Sequence, residues 1–138
     1  MFVYLDETNP SVKVLSCHVV EQFCQNLSPS NLIQFVNPLM TKFMQMLSTD
    51  NRATQEIIIS TISAIAFAAE DSFLPFFQSS ATLVSQLLFA TEEDLLTLRG
   101  RSLECMGSMA LAVGFDAFQP FIETCMQVNS RLYMKLSL

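Results

Sequence analysis

The chain has 138 residues, of which 51% are hydrophobic and 14% charged, a balance too apolar for a disordered segment and sufficient for one compact core. Its formal net charge is −6, and its seven lysines and arginines are scattered along the whole length, which argues against a nucleic-acid partner. Only three glycines occur, and Leu, Met, Ala, Gln and Glu dominate the longer segments. These features predict an all-α fold.

Two helices are predicted first, over residues 9–27 and 31–48. Asn9 is a typical N-cap, and Pro10 suits the first helical position. Apolar residues then recur at helical spacing in both segments, which gives each helix one apolar face. Pro38 lies inside the second segment and predicts either a kink or a late helix start.

Four further helices are predicted over 53–69, 73–90, 91–114 and 115–138. The apolar run from Ile57 to Ala69 has 13 residues, whereas a bilayer-spanning helix needs about 18 or more. We therefore expect a buried helix here and no membrane association. The first ten residues contain no basic segment ahead of an apolar one, so no secretory signal is predicted and an intracellular protein is expected.

Internal repetition organises these helices into pairs. Phe73 lies 41 residues after Leu32, and Phe118 lies 45 residues after Phe73, each at the start of a similar aromatic segment. Both offsets fall within the period of about 40–47 residues of HEAT repeats, which are stacked helix pairs. We therefore predict a single α-solenoid segment of three antiparallel pairs, with approximate repeats over 9–48, 50–90 and 91–138. A short solenoid exposes apolar flanks at its ends, which predicts self-association.

The three glycines, Gly100, Gly107 and Gly114, are spaced seven residues apart. No lysine follows them in the manner of a phosphate-binding loop, so a nucleotide site is not indicated. Residues seven apart lie on one side of a helix, so Gly100 and Gly107 predict a close approach by another helix, the alternative being a tolerated local weakness. Gly114 ends the apolar periodicity and suits a left-handed C-cap.

No catalytic residue, metal site or cofactor site is predicted. The cysteines, Cys17, Cys24, Cys105 and Cys125, form no C-x-x-C pair and suit buried thiols in a reducing compartment. His18 is the only histidine, and on a helix its side chain diverges from that of Cys17 by about 100°, which argues against a Cys–His nucleophile. A thiol hydrolase is therefore the weakest alternative.

The segment "LLTLRGRSLECMGSMALAVG" resembles the L-R-G-K-x-x-E-C helix of importin-5-type receptors in the importin-β (karyopherin-β) superfamily, with Arg101 in place of the lysine. The segments "ISTISAIAFAAEDSFLPFF" and "NPSVKVLSCHVVEQF" resemble other repeats of that family, so that the similarity extends over residues 9–127. Among the basic residues of the distinctive segment, Arg99 and Arg101 are expected to bridge acids on a neighbouring helix.

The resemblance implies a segment of a nuclear transport receptor that is not an enzyme and has many more repeats than three. Such receptors bind protein cargo with basic localisation signals on the concave side, phenylalanine-glycine nucleoporins on the convex side, and Ran-GTP through their N-terminal repeats. They shuttle between cytoplasm and nucleus. The alternative is a HEAT scaffold of another kind, such as a phosphatase or chromatin-complex subunit, which Ran-GTP binding by the longer protein would separate from a receptor.

In this architecture the second helix of each pair tends to face inward, so cargo contacts are sought on its polar stripe. The two offsets align polar residues at three positions of each second helix. Within a helix these positions are three or four residues apart and interrupt its apolar face. A ladder of amides and hydroxyls can hydrogen-bond an extended peptide backbone, although a merely solvated helix face would have the same composition. The candidate cargo-facing residues are Asn37, Thr41, Gln45, Gln78, Thr82, Gln86, Glu123 and Gln127. Arg131 is the residue that aligns with Gln45 and Gln86.

Overall fold

The computed structural model of the chain describes residues 9–49, 52–88 and 96–136, with the side chains of 49, 129 and 131–136 left out of the description. Within these ranges the chain is helical and contains no strand, as the composition predicts. The helices are α1 (Pro10–Asn26), α2 (Pro29–Thr49), α3 (Arg52–Ala69), α4 (Leu74–Leu88), α5 (Leu96–Val113) and α6 (Phe115–Leu136), and a short 3-10 helix (Glu70–Phe73) joins α3 to α4.

The helices form two layers. In one layer α3 packs between α1 and α5, and in the other α4 contacts both α2 and α6. The layers are joined because α2 packs on α3, and α4 and α6 pack on α5. The predicted α-solenoid of three stacked helix pairs is therefore confirmed for the part of the chain that is described. The exact repeat boundaries fall at or beside residues outside it and remain a prediction.

The core is centred on α3, whose isoleucines Ile58, Ile59, Ile62 and Ile65 are fully buried. This explains why the stretch Arg52–Leu88 is apolar. By length and composition alone it could cross a membrane, because its most apolar 18 residues have a mean hydropathy of 1.6. Half of those 18 residues are buried inside the fold, and the 3-10 helix interrupts the stretch. Helix α3 is thus the central helix of the solenoid core.

Local chemistry sets the helix ends. The Asn9 side chain accepts a hydrogen bond from the Ser11 backbone N–H at 3.0 Å, which confirms the predicted N-cap ahead of Pro10. Helix α2 already begins at Pro29 and runs through Pro38, so a late start at Pro38 is wrong. At the far end of α2, the Gln55 side-chain amide of α3 donates to the Leu47 carbonyl oxygen at 2.9 Å and so satisfies one terminal carbonyl.

The close approach predicted at Gly100 and Gly107 is wrong. Apart from the adjacent residues and backbone of α5 itself, no atom of the described chain lies within 4 Å of the position that a Cβ would take at either residue, and both are exposed. Gly114, in contrast, has a φ of 88°, which confirms the left-handed C-cap after α5. Glu70 holds the corresponding place after α3, 44 residues earlier, with a φ of 53°.

Candidate functional site

The candidate cargo-facing residues all lie on the second layer and are exposed. Because α4 contacts both α2 and α6, the three helices bring the predicted sets onto adjacent elements. We call this surface the polar face. It consists of Asn37, Thr41 and Gln45 on α2, Gln78, Thr82 and Gln86 on α4, and Glu123 and Gln127 on α6, while the side chain of Arg131 lies outside the description.

The polar residues of α2 and those of α4 have the same local geometry. The Thr41 hydroxyl donates to the Asn37 carbonyl oxygen at 2.9 Å, and the Thr82 hydroxyl donates to the Gln78 carbonyl oxygen at 2.8 Å. Each threonine thereby holds its hydroxyl oxygen in one orientation with a lone pair left to accept a further hydrogen bond. On α6 the equivalent contact joins the Gln127 side-chain amide to the Glu123 carboxylate at 3.4 Å.

The polar face has a second exposed carboxylate besides that of Glu123. Asp116 is exposed in the first turn of α6 and precedes Glu123 by seven residues, so the two carboxylates share one side of the helix. The seven-residue spacing is visible in the sequence, but Asp116 lies at the start of α6, before the aligned positions. The face therefore has two acids on α6, and both attract cations.

On the opposite layer, α1, α3 and α5 enclose a groove of about 650 Å³. Its floor includes Ala64 and the exposed ring of Phe67, both from α3. Its walls include three carboxylates, those of Glu21, Glu70 and Glu104. We call this the outer groove.

Among the described residues, neither arginine of α5 bridges an acid as expected. Arg101 crosses the outer groove and donates to the Ser60 hydroxyl on α3. Arg99 is only 5% exposed, and its Nε and Nη1 atoms have no hydrogen-bond partner in the described part of the chain. Arg101 thus tethers α5 to α3 through a hydroxyl, and Arg99 belongs to the core of α5.

The thiols are poorly suited to nucleophilic chemistry. Burial raises the pKa of Cys24 from 9.0 to about 11, and burial with the nearby Glu104 carboxylate raises the pKa of Cys105 to about 12. His18 contacts the Glu21 carboxylate at 3.6 Å on the exposed side of α1, while Cys17 is fully buried. Within the described ranges, no three His, Cys, Asp or Glu side chains are grouped to hold a metal ion.

Stacked helix pairs with an exposed polar face on one layer define a segment of a HEAT-type solenoid, a class of protein that binds other proteins along its extended surfaces. Among solved structures, the fold matches the karyopherin Kap121p bound to Pho4p, with a TM-score of 0.80, 22% identity, and coverage of 89% of this chain and 12% of that one. Kap121p bound to the SUMO protease Ulp1p matches with a TM-score of 0.81 at the same identity and coverage.

Sequence relatives extend the agreement beyond the fold. The chain is 30% identical over 115 residues to the probable importin subunit beta-4 of Schizosaccharomyces pombe, covering 82% of this chain and 11% of that protein. It is 37% identical over 75 residues to mouse importin-4, covering 54% of this chain and 7% of that protein. No family model matches the chain. The chain belongs to the importin-β superfamily and spans about a tenth of the length of the first of these relatives.

Proposed function

We propose that this chain is a cargo-binding segment of a nuclear transport receptor and that a basic localisation peptide lies along the polar face. The observation that carries the proposal is the repetition of exposed amide and hydroxyl groups on α2 and α4 in the same hydrogen-bonded arrangement. Family membership supports it, because the relatives are importins and the similar karyopherin has been solved with several bound proteins.

The chemistry of the polar face suits an extended peptide backbone. Side-chain amides such as those of Gln78 and Gln86 offer both donors and acceptors, and the threonine hydroxyl oxygens accept peptide N–H groups. Such contacts hold a peptide without reading its sequence, so the preference for basic peptides comes from Glu123 and Asp116. A partly exposed ion pair contributes about 0–1 kcal/mol, so this segment binds such peptides weakly and tight binding requires more repeats.

The remaining partners belong to the longer receptor that the proposal implies. Ran-GTP binding, contacts with phenylalanine-glycine nucleoporins and shuttling between cytoplasm and nucleus are proposed for that receptor as a whole. A HEAT scaffold of another class would share the solenoid but would not bind Ran-GTP. Binding of Ran-GTP by the full-length protein therefore tests the transport role independently of the polar face.

Peptide titration tests the proposed cargo surface. A fluorescently labelled lysine-rich peptide is titrated with the chain at two salt concentrations, and its anisotropy is recorded. We expect Glu123→Gln to weaken binding by up to about fivefold at low salt and less at high salt, because salt screens exposed charges. We expect Gln86→Ala to weaken binding similarly at both salt concentrations, because the interaction it removes is between neutral groups.

A matched control is Glu104→Gln, which makes the same charge change in the outer groove. It should leave peptide affinity unchanged at both salt concentrations. If Glu123→Gln and Gln86→Ala also leave the affinity unchanged, the polar face is only a solvated surface and the proposal is wrong.

A further inference from the structure

Two exposed apolar side chains lie near the C-terminal ends of α3 and α5. Phe67 is 68% exposed, although its helix α3 packs between α1 and α5. Leu111 follows Phe67 by 44 residues, the same interval that separates the starts of α3 and α5, and is 79% exposed. Because Phe67 stays exposed between two neighbouring helices, Leu111 would stay exposed beside a further repeat as well. Both side chains therefore belong to the outer surface of the layer.

Phe67 and Leu111 line one cleft of about 490 Å³, together with Glu70, Asp71 and Ala112. We call it the apolar cleft. It adjoins the outer groove, because Phe67 and Glu70 line both concavities. The outer groove and the apolar cleft thus form one continuous trough along α3, on the layer opposite the polar face.

The charges around this trough favour a cation. Among the described residues that line it, Arg101 is the only base, and its guanidinium already donates to the Ser60 hydroxyl. The apolar cleft also lies at the C-terminal ends of α3 and α5, where the helix dipoles add partial negative charge. The acids that line the trough are Glu21, Glu70, Asp71 and Glu104.

Glu70 is the acid that lies between the two concavities, and it has a backbone conformation that favours glycine. Its φ is 53°, and Gly114 holds the equivalent place 44 residues later with a φ of 88°. A residue with a Cβ is strained in this conformation, so the fold alone would favour glycine at residue 70 as well. Backbone strain of this kind is common at binding surfaces, where the side chain has a role that offsets it.

We propose that this trough binds a protein segment in which a side chain the size of leucine or phenylalanine is next to lysine or arginine. The apolar side chain lies in the apolar cleft between Phe67 and Leu111, and the cation pairs with Glu70 and Asp71. Neither part suffices alone, because an exposed ion pair is weak and the apolar contact is small. This surface is separate from the polar face, and the inference does not depend on the proposed function.

Three labelled peptides built on serine and glycine test this arrangement. The first contains one leucine followed by two arginines, the second has serine in place of leucine, and the third has serine in place of both arginines. Each is titrated into the isotope-labelled chain, and the backbone amide shifts of Phe67 and Asp71 are recorded at two salt concentrations. The first peptide should shift both signals, and the other two should bind at least about fivefold more weakly.

Two variants of the trough separate its apolar and charged parts. Leu111→Ser should weaken binding of the first peptide at least about fivefold at both salt concentrations, because it removes one wall of the apolar cleft. Glu70→Gly should weaken binding about two- to fivefold at low salt and less at high salt, because salt screens exposed charges. Since glycine relieves the strain at residue 70, this loss of affinity should accompany a gain in stability, which excludes unfolding as its cause.

Glu123→Gln is the matched control, because it removes one carboxylate from the polar face and leaves the trough unchanged. It should not alter the shifts of Phe67 and Asp71. The proposal is overturned if the peptide without arginine binds as tightly as the first, or if Leu111→Ser and Glu70→Gly bind like the unmodified chain. Shifts confined to the polar face would also overturn it, while leaving the proposed function intact.

Discussion

The residues that follow α3 and α5 adopt the same left-handed backbone conformation, but only one of them is strained by it. Glu70 and Gly114 follow α3 and α5, and both adopt a left-handed conformation, with φ values of 53° and 88°. Glycine adopts this conformation without steric cost, whereas a residue with a Cβ does not. We predict that Glu70→Gly raises the free energy of unfolding by about 0.5–1 kcal/mol and that Gly114→Ala lowers it by about 1 kcal/mol.

Urea denaturation at low protein concentration measures both changes. Gly107→Ala is the control, because Gly107 lies inside α5 with a free Cβ direction, and alanine should stabilise the helix by up to about 1 kcal/mol. If Gly107→Ala and Gly114→Ala had the same effect, the left-handed conformation at Gly114 would not be present in solution.

The buried thiols make stability depend on pH in the alkaline range. The pKa values of Cys24 and Cys105 are raised by burial from 9.0 to about 11 and about 12. Both thiols therefore keep their protons in the folded chain at a pH where the unfolded chain loses them. Their contribution to stability is fully present below pH 9 and is lost as the pH rises toward the folded values, by up to about 1.4 kcal/mol per pH unit for each thiol.

Denaturant titrations between pH 8 and pH 11 check this prediction. The chain with Cys24→Ala and Cys105→Ala should lose less stability over the same range, since alanine does not ionise. An identical pH dependence in the two proteins would show that these thiols do not cause the loss.

At the scale of the helices, an aromatic contact joins α4 to α6. The ring of Phe77 lies 6.1 Å from that of Phe118 and 5.4 Å from that of Phe121, the second contact being edge to face. We predict that Phe77→Ala lowers the free energy of unfolding by about 3–5 kcal/mol, because it leaves a cavity beside both rings. Phe67→Ala on the exposed side of α3 should change it by less than about 0.5 kcal/mol. Thermal and urea unfolding of both variants give the comparison, and equal losses would place Phe77 outside the core.

The helices and their pairing were predictable because aromatic residues recur at offsets of 41 and 45 residues, and periodic apolar residues must be buried by a neighbour. The glycines of α5 were misread because sequence spacing identifies the side of a helix but not whether another helix covers it. The polar face was predicted by alignment, but Asp116 was missed because it lies in the first turn of α6, before the aligned positions begin. The partner of Arg101 was also not predictable, since Ser60 lies 41 residues away and is brought near only by stacking.

At the scale of the whole molecule, we propose that a basic peptide lies along the polar face of α2, α4 and α6. The two layers present different chemistry, since the polar face repeats amides and hydroxyls while the outer groove combines carboxylates with Phe67. Both surfaces contain carboxylates, so the affinity of the unmodified chain does not by itself assign the site. The position of the bound peptide does.

Paramagnetic relaxation measures that position directly, and weak binding is no obstacle to it. A spin-labelled lysine-rich peptide is added to the isotope-labelled chain at low protein concentration, and the broadening of each backbone amide signal is recorded. We predict that the amide signals of Gln45, Gln86 and Gln127 broaden, while those of Glu21 and Phe67 in the outer groove do not. Broadening centred on Glu21 and Phe67, with the polar face unaffected, would contradict it.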